Sequence, residues 1–357
     1  MNLVVLPGDG IGPEITLAAL EVLGAAKRQF DLDVSVEHHA IGLDALQRSG
    51  TTLPDEVVAR ARAADGIVLG PVSTFDYPAP EKGGINPSAY FRKQLDLFAN
   101  IRPARTFGHT TQRIGPFDLV IVRENTEGFY ADRNMTAGDG DMLVTPDVAI
   151  SIRKITREAC TRIAEAGFQL ARTRRRRVTL VHKANVLRRS DGLFLDACRM
   201  VAASYPDVQC DELIVDAMTA HLVRDPGRFD VVVTTNMFGD ILSDLAGELA
   251  GSLGMSGALN AGTSHAVAQA VHGSAPDIAG QDRANPLALI RSVAMLLAWL
   301  AARHQAPKFA QAARAIDESV SAAIAAGETT PDLGGKLGTR AVGKIIAARL
   351  GRMPVAA

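Results

Sequence analysis

"FDVVVTTNMFGDILSD", residues 229–244, begins with a β-branched apolar run and ends on a helical spacing. The run through Thr234 reads as a buried strand, and the change of period after it marks a strand feeding a helix. The pattern recurs along the chain. Strand-like "LVVLP", "GIVLG", "FDLVIVREN", "VTLVHKAN" and "ELIVDAM" alternate with amphipathic stretches such as "PEITLAALEVLGAAKRQ" and "DGLFLDACRMVAASY". Alternation of this kind predicts an α/β fold with a largely parallel sheet, whose ligands gather at the carboxyl ends of strands. Five polar clusters, "PGDG", "RENTEG", "HKAN", "VDAM" and "TTNMFGD", fall at such ends.

The chain has 357 residues, enough for two domains, and a formal net charge of -1. Balanced charge argues against a nucleic-acid binder. The one basic run, "RTRRRR" (Arg172 to Arg177), reads as a solvated loop before the strand "VTLVH". Cys160, Cys198 and Cys210 lie far apart without a CxxC pattern, which points to a reducing compartment and to neither a disulfide framework nor a zinc cluster. "NLVVLPGDG" enters a strand at once, with no basic-then-apolar leader visible. "NPLALIRSVAMLLAWLAARH" carries Arg291 and Ser292, and with Asn285 as N-cap and Pro286 at the first helical position it reads as a core helix, not a membrane span. The expectation is a cytoplasmic protein with no membrane partner.

The cluster "GDGIGPE" fails the dinucleotide fingerprint G-x-G-x-x-G because position 13 is Pro13, and it fails the P-loop for want of Gly-Lys-Ser/Thr. A tight turn before a helix survives, either structural or receiving a polar ligand on its N–H groups. Arg92, Arg102 and Arg123 sit near the ends of apolar segments. Singly each reads as an ion pair; together they suit an anion with several carboxylates, which guanidinium forks match. Asp240 and Asp244 are four apart, about 40° around a helix axis, and so share a face. The helix dipole would explain Asp240 as a solvated helix start. Asp216, read as the end of the strand "ELIVD", would complete an oxygen-rich set for Mg²⁺ or Mn²⁺. Lys183 is structural or a base, and Tyr130 is an available proton donor. His182 reads as a packing partner. The segment 131–147 is a loop or a projecting arm.

"GDGIGPE", "NIRPAR", "VRENTEGFY", "HKANVL", "TTNMFGDILSDL", "HGSAPDIAGQDRANP" and "TPDLGG" follow one another across most of the chain. Together they resemble the β-decarboxylating dehydrogenases of the isocitrate/isopropylmalate dehydrogenase family, in wording nearest the homoisocitrate and 3-isopropylmalate branches. The resemblance implies a two-domain fold with mixed parallel and antiparallel sheets flanked by helices, not a Rossmann fold. Residues 1–98 and 253–357 would form a large cofactor-binding domain. Residues 99–252 would form a small domain with the metal ligands, the dimer interface and an arm at about 131–150.

The implied reaction is metal- and NAD-dependent oxidative decarboxylation of a malate-type 2-hydroxy acid, a dicarboxylate or tricarboxylate, to a 2-oxo acid and CO₂. Arg92, Arg102, Arg123 and Ser88 would hold the substrate, Asp216, Asp240 and Asp244 the metal, Lys183 would be the base, and Tyr130 would protonate C3. Ile11, His272, Gly273, Ser274, Ala275, Asp277, Ile278 and Asn285 would line the NAD site; an acid at Asp277 resembles the NAD users. The resemblance further implies a homodimer, or a tetramer, in which Lys183 and Asp216 of one chain complete the site of its partner. Two departures stand out. Gln269 and Ala270 replace a Glu-Pro of many relatives, putting cofactor affinity in question, and "GGINPSAYF" before Arg92 fits a polar or small C3 substituent better than isopropyl. The competing readings are a non-catalytic subunit of the same fold and a Mg²⁺-dependent phosphoryl-transfer enzyme.

Overall fold

A computed structural model describes residues 1–108, 114–130 and 140–352. The chain opens with β1 (Asn2–Leu6), α1 (Gly12–Phe30), β2 (Ser35–His38), α2 (Gly42–Ser49), α3 (Asp55–Ala63), β3 (Gly66–Leu69) and α4 (Pro87–Gln94). It continues through β4 (Ala99–Arg105), β5 (Asp118–Glu124), the hairpin of β6 (Asp141–Thr145) and β7 (Val148–Ser151), α5 (Arg157–Arg172), β8 (Arg177–His182) and α6 (Ser190–Ala202). Next come β9 (Gln209–Ile214), α7 (Val215–Arg224), β10 (Val231–Thr234) and α8 (Asn236–Ala250). β11 (Leu259–Ala261), β12 (Ala266–Gln269), α9 (Leu287–His304), α10 (Pro307–Ala325) and α11 (Thr339–Leu350) complete it.

Ten strands form one sheet in the order β2-β1-β3-β12-β11-β4-β5-β10-β8-β9. Pairing is parallel on both flanks and antiparallel where β12, β11, β4 and β5 meet. The sheet is therefore mixed, where the apolar runs alone suggested a largely parallel one. β3 and β10 are buried at every position because helices cover both faces, which is why they read as unbroken apolar runs. β4 tolerates Pro103 because β11 pairs only as far as Ile101, so the missing N–H costs no ladder bond on that side.

The apolar core divides. One cluster joins α1, α9, α10 and α11, and a second joins β1, β3, α3 and α4; apart from Phe107 their buried members come from residues before 98 and after 254. Two further clusters, around α5 and α6 and around α7 and α8, draw only on residues 99–250.

Three local expectations shift. α9 starts at Leu287 with Pro286 as the capping position; Asn285 still accepts from the Leu287 N–H at 3.0 Å, and the helix is mostly buried, as a core helix should be. Asp216 does not end a strand: β9 stops at Ile214 and Asp216 lies in the first turn of α7, because "ELIV" is too short to distinguish strand from helix by period. "RTRRRR" is ion-paired, with Arg174 bridging Asp118 and the buried Asp230, Arg172 on Asp207 and Arg177 on Asp211. All three cysteines are free thiols. Of the expected arm, 131–139 lies outside the described residues; β6 and β7 form an antiparallel hairpin exposed along its whole length.

Candidate active site

The parallel strands β5, β10, β8 and β9 are neighbours, so their carboxyl ends share one edge of the sheet. Arg123 is the penultimate residue of β5, α8 follows β10, Lys183 follows β8 and Asp216 follows β9. α8 packs directly over β4 and β5. Gly239 permits this: a Cβ there would stand 2.6 Å from the Cβ of Arg123, so any side chain would push the helix off the strand.

Under α8 a charged cluster forms. Arg123, 1% exposed, donates from Nε and Nη2 to the Asn236 side-chain oxygen at 2.9 and 2.6 Å and from Nη1 to Asp240. Asn236 is fixed in turn by donating to the Glu127 carbonyl at 2.9 Å. Arg102 on β4 reaches Ser243 at 2.8 Å, Asp244 at 3.1 Å and Asp240 at 3.2 Å. Burial and the Arg123 charge pull the Arg102 guanidinium below its ordinary range, and the two aspartates offset this. Burial raises the Asp244 carboxyl, opposed by Arg102 and reinforced by Asp240. The helix begins at Asn236, so Asp240 is its fifth residue, beyond the first turn where the dipole alone would favour an acid. The Tyr130 ring lies 5.8 Å from the Arg123 guanidinium.

Lys183 and Asp216 form a second, separate pair, their charged atoms in contact. The Lys183 side chain is 27% exposed and that of Asp216 65%, and the ammonium holds the Asp216 carboxyl below its usual range. β10 lies between β5 and β8, which sets Lys183 about 10 Å along the sheet from Arg123. Among the described residues, no three acidic, histidine or cysteine side chains of the chain converge as a metal cage. Asp240 and Asp244 do supply two hard oxygen ligands on one helix face, so the residues fit a divalent cation provided further ligands come from outside the chain. Arg92 stands half-buried in the last turn of α4, on the face it shares with Ser88 four residues earlier.

On the other flank, the turn after β1 meets the loop after β12. The Ile11 N–H donates to the Ser274 carbonyl at 2.8 Å, and the Ser73 and Ser274 hydroxyls pair at 2.7 Å. Asp9 secures the turn by accepting from Leu43 N–H, Ser73 N–H and the Tyr77 hydroxyl. His272 Nδ1 pairs with the Gly273 carbonyl at 3.0 Å, while its buried Nε2 has no hydrogen-bond partner. Ala275 adopts a left-handed conformation that turns the chain into the short helical turn Pro276–Ile278, leaving Asp277 exposed. Asn285 is buried and donates to Asp332 at 2.9 Å. An orphaned ring nitrogen among exposed backbone suits a polar, extended cofactor.

Asp9, Asn236, Ser243 and Asp332 hold these groups yet escaped the reading of the sequence. Asn236 was the findable one, since it opens the helix that carries both aspartates.

The chain matches the family model described as "Isocitrate/isopropylmalate dehydrogenase" over residues 2–346. It is 40% identical over 339 residues to a 3-isopropylmalate dehydrogenase of Archaeoglobus fulgidus, spanning 95% of this chain and 96% of the relative. It is also 40% identical over 341 residues to an isocitrate/homoisocitrate dehydrogenase of Thermus thermophilus, with the same coverage. The crystal structure of isocitrate dehydrogenase from Methylococcus capsulatus superposes with a TM-score of 0.86 at 40% identity, covering 98% of this chain and 99% of that one.

Proposed function

The chain belongs to the isocitrate/isopropylmalate dehydrogenase family, and from that premise we propose that it catalyses NAD- and metal-dependent oxidative decarboxylation of a malate-type 2-hydroxy acid. The observation that carries the reading is the convergence of Arg102 and Arg123, from two antiparallel strands, on Asp240. Two buried guanidiniums beside two acids of one helix form a site that takes substrate carboxylates and a cation side by side.

Asp240 and Asp244 hold the divalent cation, with Asp216 supplied across a homodimer interface. A cation held there would supply Lewis-acid polarisation of the C2 oxygen, and a dinucleotide in its site would supply the hydride acceptor. Arg92, Arg102 and Arg123 bind and orient the substrate carboxylates. Lys183 takes the C2 hydroxyl proton at Nζ in its neutral amine form, reached once substrate displaces the ion pair with Asp216, and Tyr130 returns a proton to C3 after the β-carboxylate leaves as CO₂. Ile11, His272 to Ala275, Asp277, Ile278 and Asn285 line the dinucleotide site, where the Asp277 carboxylate disfavours a 2'-phosphate.

Three features support a shared site. Lys183 and Asp216 pair with each other and not with any member of the Arg102 cluster, and Asp216 is 65% exposed. Val186, on the turn after β8, Val223 on α7 and Ile241 on α8 are exposed apolar side chains, as are Leu143, Val144 and Ile150 on the β6–β7 hairpin. A second copy of the chain would cover both patches. The division of the core supports one lobe of 1–98 and 253–357 and a second of 99–252. The test is NAD reduction with Mg²⁺ or Mn²⁺ across D-malate, tartrate, 3-isopropylmalate, isocitrate and homoisocitrate. Turnover of at least one, with matching CO₂ release, is expected; inactivity on all would refute the proposal.

A further inference from the structure

Beneath the expected substrate cleft a row of neutral side chains crosses the sheet, outside the charged cluster. The Asn125 amide nitrogen donates to the Leu97 carbonyl at 2.9 Å and to the Asn260 side-chain oxygen at 3.1 Å. Asn100 donates to the same oxygen at 3.0 Å. The Asn260 nitrogen faces the Gln269 oxygen at 3.5 Å, and the Ser88 hydroxyl donates to that oxygen at 2.9 Å. All four amides are buried, between 0% and 9% exposed.

The row has a direction, assigned from its hydrogen bonds. A backbone carbonyl only accepts, so the Asn125 nitrogen must face Leu97. That nitrogen then requires the oxygen of Asn260 opposite it, which turns the Asn260 nitrogen toward Gln269. The Asn260 nitrogen at 3.5 Å favours the oxygen of Gln269 on this side, and the Ser88 hydroxyl donates to that oxygen at 2.9 Å. At the inner end the side-chain oxygens of Asn100 and Asn125 have no partner. No donor there reverses the row.

We propose that Gln269 is a specificity-determining positioning residue: by holding the Ser88 proton it makes Ser88 a hydrogen-bond acceptor toward the substrate. This rests on the cleft assignment above, in which Ser88 and Arg92 share the substrate face of α4. An acceptor at the C3 subsite favours a substituent that brings its own proton, a hydroxyl, as in 3-hydroxymalate (tartrate). A carboxymethyl substituent, as in isocitrate, needs a donor that Ser88 has already committed. An isopropyl group leaves the Ser88 oxygen unpaired.

The experiment measures kcat/KM for tartrate, D-malate and isocitrate in the wild type, Gln269→Leu, Gln269→Glu, Ser88→Ala and the Gln269→Leu/Ser88→Ala double variant. The wild type should prefer tartrate to isocitrate. Gln269→Leu frees the Ser88 proton and should raise the isocitrate-to-tartrate ratio about tenfold, the worth of one hydrogen bond. That rise should vanish in the Ser88→Ala background. Gln269→Glu keeps the volume and the acceptor, adds charge and should lower the ratio, which serves the test even if the leucine variant does not fold. A wild-type preference for isocitrate, ratios unmoved by either change, or the same rise without Ser88 would overturn the inference. Wild-type inactivity on these three substrates, or activity with an invariant ratio, overturns this inference alone; the parent reading falls only if 3-isopropylmalate and homoisocitrate are inert as well.

Discussion

The Arg102 guanidinium, buried beneath α8, donates to the Asp244 carboxylate at 3.1 Å. In the chain alone this arginine and Arg123 balance two acids that a divalent cation would otherwise bind. The cation must compete with them, so its binding is measurable as stabilisation. At about a hundredfold excess over Kd, Mn²⁺ should add about 2.7 kcal/mol to the wild type. Asp240→Asn should lose most of that thermal shift. An equal shift in both proteins would move the metal elsewhere.

Glu127 gives a pH signature unrelated to metal. Burial, with the nearby Glu124, raises its carboxyl from 4.5 to about 7, despite hydrogen bonds from Thr156. An acid whose pKa is raised on folding binds its proton more readily in the native state. Its contribution is therefore complete below the unfolded value and is lost as pH climbs through the folded one. Urea midpoints should fall between pH 4.5 and about 7, and Glu127→Gln should flatten that fall by about 1–2 kcal/mol. A Gln variant with the wild-type slope would assign the loss to other groups.

Gly10 sets the contact between the first turn and the cofactor loop. Its φ is +58°, and a Cβ would lie 2.0 Å from the Ser274 carbonyl oxygen. Gly10→Ala should weaken NAD binding by about tenfold or more, because the loop must move to make room. Gly24→Ala, on α1 and outside the proposed NAD site, where a Cβ would meet only the Arg28 guanidinium at 3.6 Å, is the control for a mere glycine-to-alanine change. Calorimetric titration with NAD separates them; equal affinities would sink the assignment of this loop.

The β6–β7 hairpin exposes Leu143 at 71%, Val144 at 53% and Ile150 at 49%. If a second chain covers it, Leu143→Asp should shift the oligomer toward monomer at micromolar concentration in sedimentation velocity, since a buried charge replaces apolar contact. A fully dimeric variant would place the interface elsewhere.

The parts most legible in the sequence were those with a single physical reading. β1, β5, β8 and β10 are apolar runs closed by polar clusters, β3 is an apolar run between glycines, and all five were found. β11 and β12 are three and four residues long, too short for a period to show, and with β4 they make the sheet mixed. Asp216 was recognised as an acid but placed at a strand end, since only the tertiary fold decides where "ELIVD" changes to helix. The Arg102–Asp244 contact was invisible because it depends on α8 lying across β4. Gln269 appeared only as a departure from relatives; its bond to Ser88 spans 181 residues of sequence.

The central claim is that each active site takes its Asp240 from one chain and its Lys183 from the other. Lys183→Met and Asp240→Asn homodimers should each be inactive. Unfolded together and refolded as an equal mixture, half the dimers are mixed, and each mixed dimer carries one intact site. Activity should then recover to about a quarter of the wild-type value. If both residues served one site within a single chain, no mixed dimer would hold an intact site, and the mixture would stay inactive.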